Sequence, residues 1–450
     1  MGRRIGFALL GLLATMTLFA EGLLDHPWIS WFLPFRDTVL ARPKLVLLLM
    51  VPVVGYLLGA RVSLFRNLLA VVAISCVTVS GFDLLLRIFG FTIAGQIPPI
   101  RLPEFPWLER SAPNREVQGS TYGDLAGIAR DSALREPRPY RSRTDARGFR
   151  NDHPGTDIDL VILGDSFGAG QGTTQDSIFS SRLERQSGQR VYNLSYPGGP
   201  RREYLNLLAE LPHLTVRPDA RVVWVLFTGN DLSDADPDVS DSTPVPWWRG
   251  LKAARIRYQN YRTLSPLRMA FLERFGRLLT DEVSEQAIVR QLPDGRPILF
   301  REWYRHDVNL TREEAEQHSN FPKIERVMGA MRRLTAERGL ALTVIIIPAK
   351  EEIYRWILED RERRPSDLED SGFGSALLAA CDRTGIRCLN PKPVLTAEAY
   401  GAFDGSGQLV YWRDDTHLND RGNEIIADFI AARVLGRSTV TDSTASGPGG

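Results

Sequence analysis

A serine follows a short apolar segment in a setting that suits a nucleophile. The apolar run 161–163 leads directly into Gly164-Asp165-Ser166, and Gly168 lies two residues further on. A strand would hold the backbone fixed, and the turn after it would expose the serine hydroxyl. The amide groups that begin the next helix could face an anion. Because Gly-Asp-Ser is also a common turn sequence, Ser166 by itself is only a candidate nucleophile.

A possible base for this serine lies near the carboxyl terminus, in the sequence Asp414-Asp415-Thr416-His417. A serine hydroxyl is a weak nucleophile and needs a base, and imidazole titrates near neutral pH. The imidazole needs a carboxylate that fixes its tautomer. An aspartate three residues before the histidine can turn back to Nδ1, which favours Asp414, with Asp415 as the competing candidate. The other histidines lack this setting and are expected on the surface or in linkers: His26, His153, His213, His306 and His318.

Two further turns carry groups that could stabilise an oxyanion. Gly198 and Gly199 follow the apolar segment 191–194, and Asn230 follows the segment 222–227. A glycine lets a backbone N–H approach a ligand closely, and the asparagine amide can donate a hydrogen bond. Such donors usually make the largest single contribution to acyl transfer. Either glycine could be the donor, and both segments would also serve as ordinary turns.

The elements that must position these residues alternate between strand-like and helix-like patterns. Short apolar segments lie at 159–163, 191–194, 222–227, 342–347 and, more weakly, 386–389, and helical periodicity occurs at 177–187, 202–211, 323–338, 375–384 and 422–435. This alternation predicts an α/β fold with a buried parallel sheet covered by helices on both faces. Ligands of such sheets bind at the carboxyl ends of the strands. The candidate groups after the first three strands should therefore lie at one edge.

The rhythm breaks between residues 232 and 321, which we interpret as an insertion. It contains a hairpin-like sequence at 291–297, with Asp294-Gly295 as the predicted turn. Because the insertion leaves the third strand at its carboxyl end, we expect it to lie over the candidate site and to shape it.

In chain order, the four blocks resemble those of the SGNH/GDSL hydrolase superfamily, over about residues 155–436. The resemblance implies a flavodoxin-like three-layer sandwich whose five parallel strands follow the order 2-1-3-4-5. It also implies that Ser166 is the nucleophile, His417 the base and Asp414 the orienting acid. The implied oxyanion donors are the N–H of Ser166, the N–H of Gly198 and the side chain of Asn230.

One position departs from the superfamily pattern, and two segments suggest a branch within it. Thr228 stands where the third block, Gly-x-Asn-Asp, usually has glycine. The segments 148–150 and 347–351 look like the membrane-linked branch found with bacterial polysaccharide genes, which contains esterases and O-acetyltransferases. That resemblance implies an acyl-ester substrate, with a glycan and a membrane-bound acyl-donor protein as possible partners.

The first 92 residues are predicted to form a membrane anchor. Apolar runs at 5–24, 45–60 and 68–91 approach the roughly 20 residues that cross a bilayer, so we expect about three transmembrane helices in contact with lipid. A cleaved signal peptide is the alternative for the first run. Arg3 and Arg4 favour a cytoplasmic start. Three spans would then place the catalytic domain outside the inner membrane, on the periplasmic side.

The rest of the chain divides by composition. A proline-rich linker is predicted at 93–118, the hydrolase-like domain at 119–436 and a disordered tail at 437–450. The balance of 55 basic and 54 acidic residues gives no reason to expect a nucleic-acid partner. No metal site or cofactor motif is visible, so neither is expected. Cys381 and Cys388 could pair in an oxidising compartment.

These observations lead to a ranked set of functions. The first is a serine-dependent esterase that removes acyl groups from an extracytoplasmic substrate, such as a polysaccharide or cell-wall glycan. The second is an O-acyltransferase that uses the same residues but passes the acyl group to a sugar hydroxyl, a difference that depends on water exclusion. The third is a non-catalytic membrane subunit or glycan binder built on the same fold.

Overall fold

A computed structural model describes residues 99–101, 108–129, 131–233, 287–405 and 408–436. The described residues from Leu108 onward belong to one compact unit, whereas Pro99–Arg101 belongs to a second unit. Several predicted features fall outside the described residues: the three membrane spans, part of the linker, the middle of the insertion and the tail 437–450. Within the described ranges, every helix is too short or too polar to cross a bilayer.

The strands form one central sheet and smaller pairs. They are β1 (Pro99–Arg101), β2 (Glu109–Ser111), β3 (Glu116–Thr121), β4 (Arg138–Arg143), β5 (Ile158–Leu163), β6 (Val191–Asn193), β7 (Val216–Phe227), β8 (Ala287–Gln291), β9 (Pro297–Arg301), β10 (Ala341–Ile347) and β11 (Arg387–Leu389). The central sheet has the order β6-β5-β7-β10-β11, and all neighbours are parallel. Counted along the chain, this is the predicted order 2-1-3-4-5, which is therefore confirmed.

Five of the described helices lie close to the predicted helical ranges, and the others were not predicted. The helices are α1 (Asp124–Ile128), α2 (Phe179–Ser187), α3 (Pro200–Glu210), α4 (Glu302–Val308), α5 (Arg312–Gln317), α6 (Phe321–Glu337), α7 (Lys350–Ile353), α8 (Arg355–Leu358), α9 (Gly372–Thr384), α10 (Lys392–Phe403) and α11 (Asp420–Arg433). Short 3₁₀ turns occur at Ser132–Leu134, Gln175–Ser177, Leu211–His213 and Pro365–Leu368.

Alternate residues of the central strands enter two separate cores, which makes the fold three-layered. Leu160 and Ile162 of β5 pack with helices α2, α10 and α11, whereas Val161 and Leu163 pack with α3, α6 and α9. All four side chains are fully buried. Strands that are buried on both faces read as continuous apolar runs, which is why the sequence located them well.

A linker was predicted at residues 93–118, but from Leu108 onward these residues pack on the domain, so this part of the prediction is wrong. The side chains of Leu108 and Arg110 are only 1% exposed, and Arg110 forms a buried ion pair with Glu210 at the end of α3. Strands β3 and β4 then pair antiparallel, from Glu116 opposite Arg143 onward. Proline content indicated an extended chain but could not show that this chain packs on the domain. We call residues 108–150 the N-terminal arm.

The described part of the insertion contains the predicted hairpin. Strands β8 and β9 pair antiparallel, and the turn between them includes Asp294 and Gly295, as predicted. Gly295 has φ = 81°, a conformation that favours glycine. Helices α4 and α5 follow the hairpin and lead into α6.

The two cysteines that could pair do so in the structure. Cys381 of α9 and Cys388 of β11 form a disulfide with their Cα atoms 6.1 Å apart. The bond closes the tight turn at Gly385, where φ is 64°. It therefore ties the last strand of the sheet to the helix that precedes it.

Candidate active site

Ser166 and His417 meet at the carboxyl edge of the sheet. Ser166 follows β5, and its Oγ lies 2.9 Å from Nε2 of His417. The other ring nitrogen, Nδ1, lies 2.7 Å from Oδ1 of Asp415. The half-buried Ser166 can thus donate its proton to an imidazole whose opposite edge is held by a carboxylate. Residues from the two ends of the domain form one hydrogen-bonded chain.

The carboxylate that contacts the imidazole is that of Asp415, not that of Asp414, so the predicted Asp414 contact is wrong. Asp415 Oδ1 also accepts the backbone N–H of His417 at 3.1 Å, an Asx-type turn that brings this carboxylate beside the ring. Asp414 points away into the N-terminal arm. Its Oδ2 accepts the backbone N–H groups of Gly123 and Glu136, each at 2.8 Å. Those bonds leave it no contact with the imidazole.

Arg138 of β4 joins the two aspartates from the side of the arm. Its Nη1 lies 2.9 Å from Oδ1 of Asp414, and its Nη2 lies 2.6 Å from Oδ2 of Asp415. The Arg138 side chain is 7% exposed and its guanidinium stacks 4.2 Å from the ring of Trp412. One buried cation therefore lies between two buried carboxylates and offsets part of their negative charge.

Lys350, the first residue of α7, holds the backbone of the loop 412–417, which we call the histidine loop. Its fully buried ammonium donates to the carbonyl oxygens of Trp412 (2.7 Å), Arg413 (3.0 Å) and Asp415 (3.1 Å). Burial lowers the pKa of Lys350 to about 8, because it disfavours the charged amine. The segment after β10 that the sequence singled out thus contributes a clamp on the histidine loop.

The insertion also grips this loop, through its hairpin. The backbone N–H of Leu299 in β9 donates to the carbonyl oxygen of Arg413 at 2.8 Å, and Nη1 of Arg413 donates to the carbonyl of Pro297 at 3.0 Å. Of the insertion that was predicted to lie over the site, the described part thus contributes the hairpin, which contacts the loop that carries His417.

The turn that carries Ser166 is fixed by buried polar contacts. Asp165 Oδ1 accepts the N–H of Phe167 at 2.8 Å. The guanidinium of Arg150 donates to the carbonyl oxygens of Gly170 (2.5 Å) and Thr173 (2.6 Å). A side chain at Gly168 would collide with Ser195, so glycine is required there by close packing. Arg150 belongs to the arm segment 148–150 that the sequence highlighted.

The predicted oxyanion donors lie in loops after adjacent strands. Gly198 follows β6 with φ = 151°, and Asn230 follows β7. Because β6, β5 and β7 are neighbours and parallel, these loops leave the same sheet edge as Ser166. Gly199 is instead the N-cap of α3, with an extended backbone. Of the two glycines, Gly198 thus has the conformation that requires glycine.

Thr228, the departure from the family pattern, has a structural role. Its buried hydroxyl hydrogen-bonds to Glu352 and accepts the N–H of Ala349 at 2.9 Å, while its own N–H donates to the carbonyl of Ile347 at 3.0 Å. Glu352 in turn pairs with the buried Lys392 at 3.2 Å. The hydroxyl links the loop after β7 to the loop after β10, which a glycine could not do.

A comparison with protein families found a matching family model. Residues 299–446 match the family model described as "SGNH hydrolase-like domain, acetyltransferase AlgX". The matched range includes β10, α7 and the histidine loop, whereas Ser166 precedes it. Over these residues the chain is similar to an SGNH hydrolase-like domain.

Solved structures with similarity to this chain include lipolytic proteins and an esterase. A putative G-D-S-L lipolytic protein from Desulfitobacterium hafniense DCB-2 is 12% identical, with 63% of this chain and 100% of that chain covered and a TM-score of 0.30. The psychrotrophic esterase EstA from Pseudoalteromonas sp. is 12% identical, with 63% of this chain and 98% of that chain covered and a TM-score of 0.31. A member of the G-D-S-L lipolytic protein family from Veillonella parvula DSM 2008 is 11% identical, with 63% of this chain and 100% of that chain covered and a TM-score of 0.30. No curated protein matches the sequence.

The charges around His417 favour an imidazole that is a stronger base than usual. Burial alone would lower the pKa of His417, but the carboxylate of Asp415 outweighs burial and raises it above the ordinary value. Burial likewise opposes ionisation of Asp415, yet the charges of His417 and Arg138 hold the pKa of this carboxyl well below its usual range. Asp415 therefore stays ionised wherever the imidazole titrates.

This electrostatic arrangement predicts the pH dependence of catalysis. His417 accepts a proton only when it is neutral, and its pKa is raised. The rate should therefore rise with pH, and the midpoint of this rise should lie above about 6.5, the pKa of an unperturbed histidine. The measurement is kcat/KM for an uncharged acetyl ester between pH 5 and 9. A midpoint below 6 would contradict the described environment of His417.

Asp124, Asp415 and His417 also form the cluster of described residues that comes nearest to a metal site, with ligand atoms within 4.8 Å of one another. A zinc ion needs its donor atoms about 2 Å away on several sides. Here Nδ1 of His417 and Oδ1 of Asp415 are 2.7 Å apart, which is the distance of a direct hydrogen bond. The arrangement is that of a hydrogen-bonded relay.

The close fit between the arm and the histidine loop gives a second prediction, on two glycines of the arm. A Cβ at Gly123 would overlap the backbone of Asp414, whereas a Cβ at Gly127 would meet nothing within 4 Å. We expect Gly123→Ala to destabilise the domain by about 3 kcal/mol. Gly127→Ala, the matched control in α1, should be neutral or stabilise by about 0.5–1 kcal/mol. Urea unfolding of both variants tests this; equal midpoints would show that the arm does not pack as described.

Sequence reasoning missed the residues that hold the site from the arm. Arg138 and Asp124 lie in a segment without a recognised block, far from His417 in the sequence. Arg138 contacts the histidine loop through Asp414 and Asp415. Asp124 contacts it through Thr416, because its carboxylate accepts hydrogen bonds from the Thr416 N–H (2.9 Å) and hydroxyl (2.8 Å). One signal was available: two adjacent aspartates beside a candidate catalytic histidine need a cationic partner if both are buried.

Proposed function

We propose that this protein cleaves an O-acyl ester through a covalent intermediate on Ser166. His417 is the general base and Asp415 the carboxylate that orients it. The observation that carries the proposal is the continuous hydrogen-bonded path from Oγ of Ser166 to Nε2 of His417 (2.9 Å) and from Nδ1 to Asp415 (2.7 Å). That path provides an activated serine in the sense required for acyl transfer.

In the first step, Oγ of Ser166 attacks the carbonyl carbon of the ester and its proton passes to Nε2 of His417. The carbonyl oxygen becomes an oxyanion, for which we propose the N–H of Ser166, the N–H of Gly198 and the amide of Asn230 as donors. When the tetrahedral intermediate collapses, the ester C–O bond breaks and the leaving alkoxide takes the proton from Nε2. In the second step, water attacks the acyl-serine in the same way and releases the acid.

The second candidate function is O-acyl transfer, in which a sugar hydroxyl replaces water in the second step. The specific observation in its favour is the family match, whose description includes an acetyltransferase. The same residues serve both reactions, so only the acceptor differs. In that case we propose a glycan as the acceptor and a membrane-bound acyl-donor protein as a possible source of the acyl group.

We also propose that the reaction takes place outside the inner membrane, on a domain anchored by the apolar runs within residues 1–92. Two features support this location. The charge distribution of the short loops favours a cytoplasmic start. The Cys381–Cys388 disulfide suits an oxidising compartment. Protease accessibility of the catalytic domain in intact spheroplasts would test the proposal, and protection of the domain would contradict it.

The test of the chemistry uses the full chain in detergent with a chromogenic acetyl ester. Wild type should release acetate, and Ser166→Ala and His417→Ala should lose this activity. His153→Ala is the matched histidine control, because His153 contacts Glu184 and lies outside the proposed machinery. Equal activity in wild type and both site variants would remove Ser166 from the mechanism.

The same assay separates hydrolysis from transfer. Steady release of acid without any added acceptor supports an esterase. A burst of one equivalent of leaving group, followed by turnover only when an oligosaccharide is added, supports an acyltransferase. Mass spectrometry of the acylated Ser166 peptide and of the oligosaccharide would identify where the acyl group resides in each case.

A further inference from the structure

Asp124 is a carboxylate beside the imidazole that the proposed steps do not use. It is the first residue of α1, in the N-terminal arm, and it reaches the histidine loop through Thr416. Its Oδ1 accepts the backbone N–H of Thr416 at 2.9 Å, and its Oδ2 accepts the threonine hydroxyl at 2.8 Å. Both bonds fix the residue that directly precedes His417.

The hydroxyl of Thr416 connects Asp124 to the imidazole. Because this hydroxyl donates its proton to Asp124, its oxygen can act only as an acceptor toward Nδ1 of His417, 3.3 Å away. Nδ1 also faces Asp415 at 2.7 Å. The ring edge opposite Ser166 therefore meets two acceptor oxygens and no donor, which requires the proton to be on Nδ1.

We propose that Asp124 is a positioning residue that acts through Thr416 to keep the proton of neutral His417 on Nδ1, beside Asp415, and its lone pair on Nε2. This inference rests on the proposed function of Ser166 and His417. The lone pair on Nε2 is what accepts the proton of Ser166 during attack. With Asp124, the relay contains two carboxylates, one in direct contact with the ring and one that acts through a hydroxyl.

The charged groups around Asp124 determine how it affects the imidazole. Asp415 and His417 interact with it from the loop, Arg138 of β4 pairs with Asp415, and Lys350 of α7 and Tyr304 of α4 interact with it electrostatically. Burial and the nearby charge of Asp415 raise the pKa of Asp124 to about 6. Above that pH its negative charge adds to that of Asp415 and raises the pKa of His417 further.

The test compares Asp124→Asn with wild type in the full chain. The readout is the rate at which a fluorophosphonate labels Ser166 between pH 5 and 9. In this reaction Oγ displaces fluoride from phosphorus and His417 takes the proton, so no knowledge of the natural substrate is needed. We expect the midpoint of the pH profile to shift down by about one unit, because a negative charge near His417 is removed. Purely structural damage would lower the rate without shifting the midpoint.

Asp131→Asn is the matched control. Asp131 is an exposed carboxylate of the same arm that caps the Ser132–Leu134 turn, and asparagine preserves a cap. Its profile should superimpose on that of wild type. A midpoint in Asp124→Asn equal to that of wild type would overturn the inference while leaving Ser166 as the nucleophile. Labelling of Ser166→Ala at the wild-type rate would instead overturn the proposed function itself.

A second pair of variants applies if Asp124→Asn does not fold, as judged by thermal unfolding. Thr416→Ser keeps the hydroxyl that connects Asp124 to Nδ1, whereas Thr416→Val removes it. We expect the labelling rate to fall about tenfold in Thr416→Val and to be retained in Thr416→Ser, as a single hydrogen bond would produce. Equal rates in the two variants would also overturn the inference.

Discussion

Asp415→Asn is expected to lower kcat/KM for ester cleavage about 10⁴-fold while the domain remains folded. An asparagine can turn its NH₂ group toward Nδ1 of His417, which forces the ring proton onto Nε2. Nε2 then points a proton, and not a lone pair, at Ser166. The measurement is kcat/KM at pH 8 together with the melting temperature, which separates lost chemistry from lost structure.

Asp414→Asn is the matched comparison, because it makes the same change one residue earlier. Asp414 contacts Gly123, Glu136 and Arg138 but not the imidazole. Its replacement should mainly lower the melting temperature, with a much smaller loss of kcat/KM. A larger loss of activity in Asp414→Asn than in Asp415→Asn would restore Asp414 as the orienting acid.

Arg138→Met should have the largest effect on stability, a loss of about 3–5 kcal/mol in the free energy of unfolding. Removing the guanidinium leaves Asp414 and Asp415 buried without their shared cation. Arg141→Met is the control on the same strand: the side chains of Arg141 and its partner Glu116 are 42% and 41% exposed, so we expect a change within about 1 kcal/mol. Urea unfolding at pH 8 measures both. Similar losses of unfolding free energy in the two variants would show that Arg138 does not stabilise the buried aspartates Asp414 and Asp415.

The sheet and the position of the nucleophile follow from local patterns. Apolar runs that end at Gly-Asp-Ser or Gly-Asn-Asp mark strands and the loops after them, and the structure has β5 and β7 end where these runs end. Strand order came from the superfamily resemblance. The beginning of β7 at Val216, six residues before the apolar run, was not visible because its first part is exposed and polar.

The orienting carboxylate could not be chosen by spacing alone. An aspartate three residues before His417 is within reach in a tight turn, but an aspartate two residues before can accept the histidine N–H and form an Asx-type turn. The structure has the second arrangement, with Asp415 bonded to both the N–H and Nδ1 of His417. The choice depends on Arg138 and Gly123, which draw Asp414 into the arm. Those contacts link residues far apart in sequence, and periodicity carries no information about them.

The histidine loop is held by segments from distant parts of the chain, and this affects when the site can exist at all. Ser166 and His417 are 251 residues apart, and Arg138 and Asp414 are 276 apart. Loops of this length close late in folding, because the loss of chain entropy on closure precedes the favourable contacts that compensate for it. A growing polypeptide therefore contains Ser166 long before it contains His417, the proposed base. On the proposed mechanism, such a chain cannot activate Ser166 during synthesis, and it becomes able to do so only when the segment that carries His417 docks.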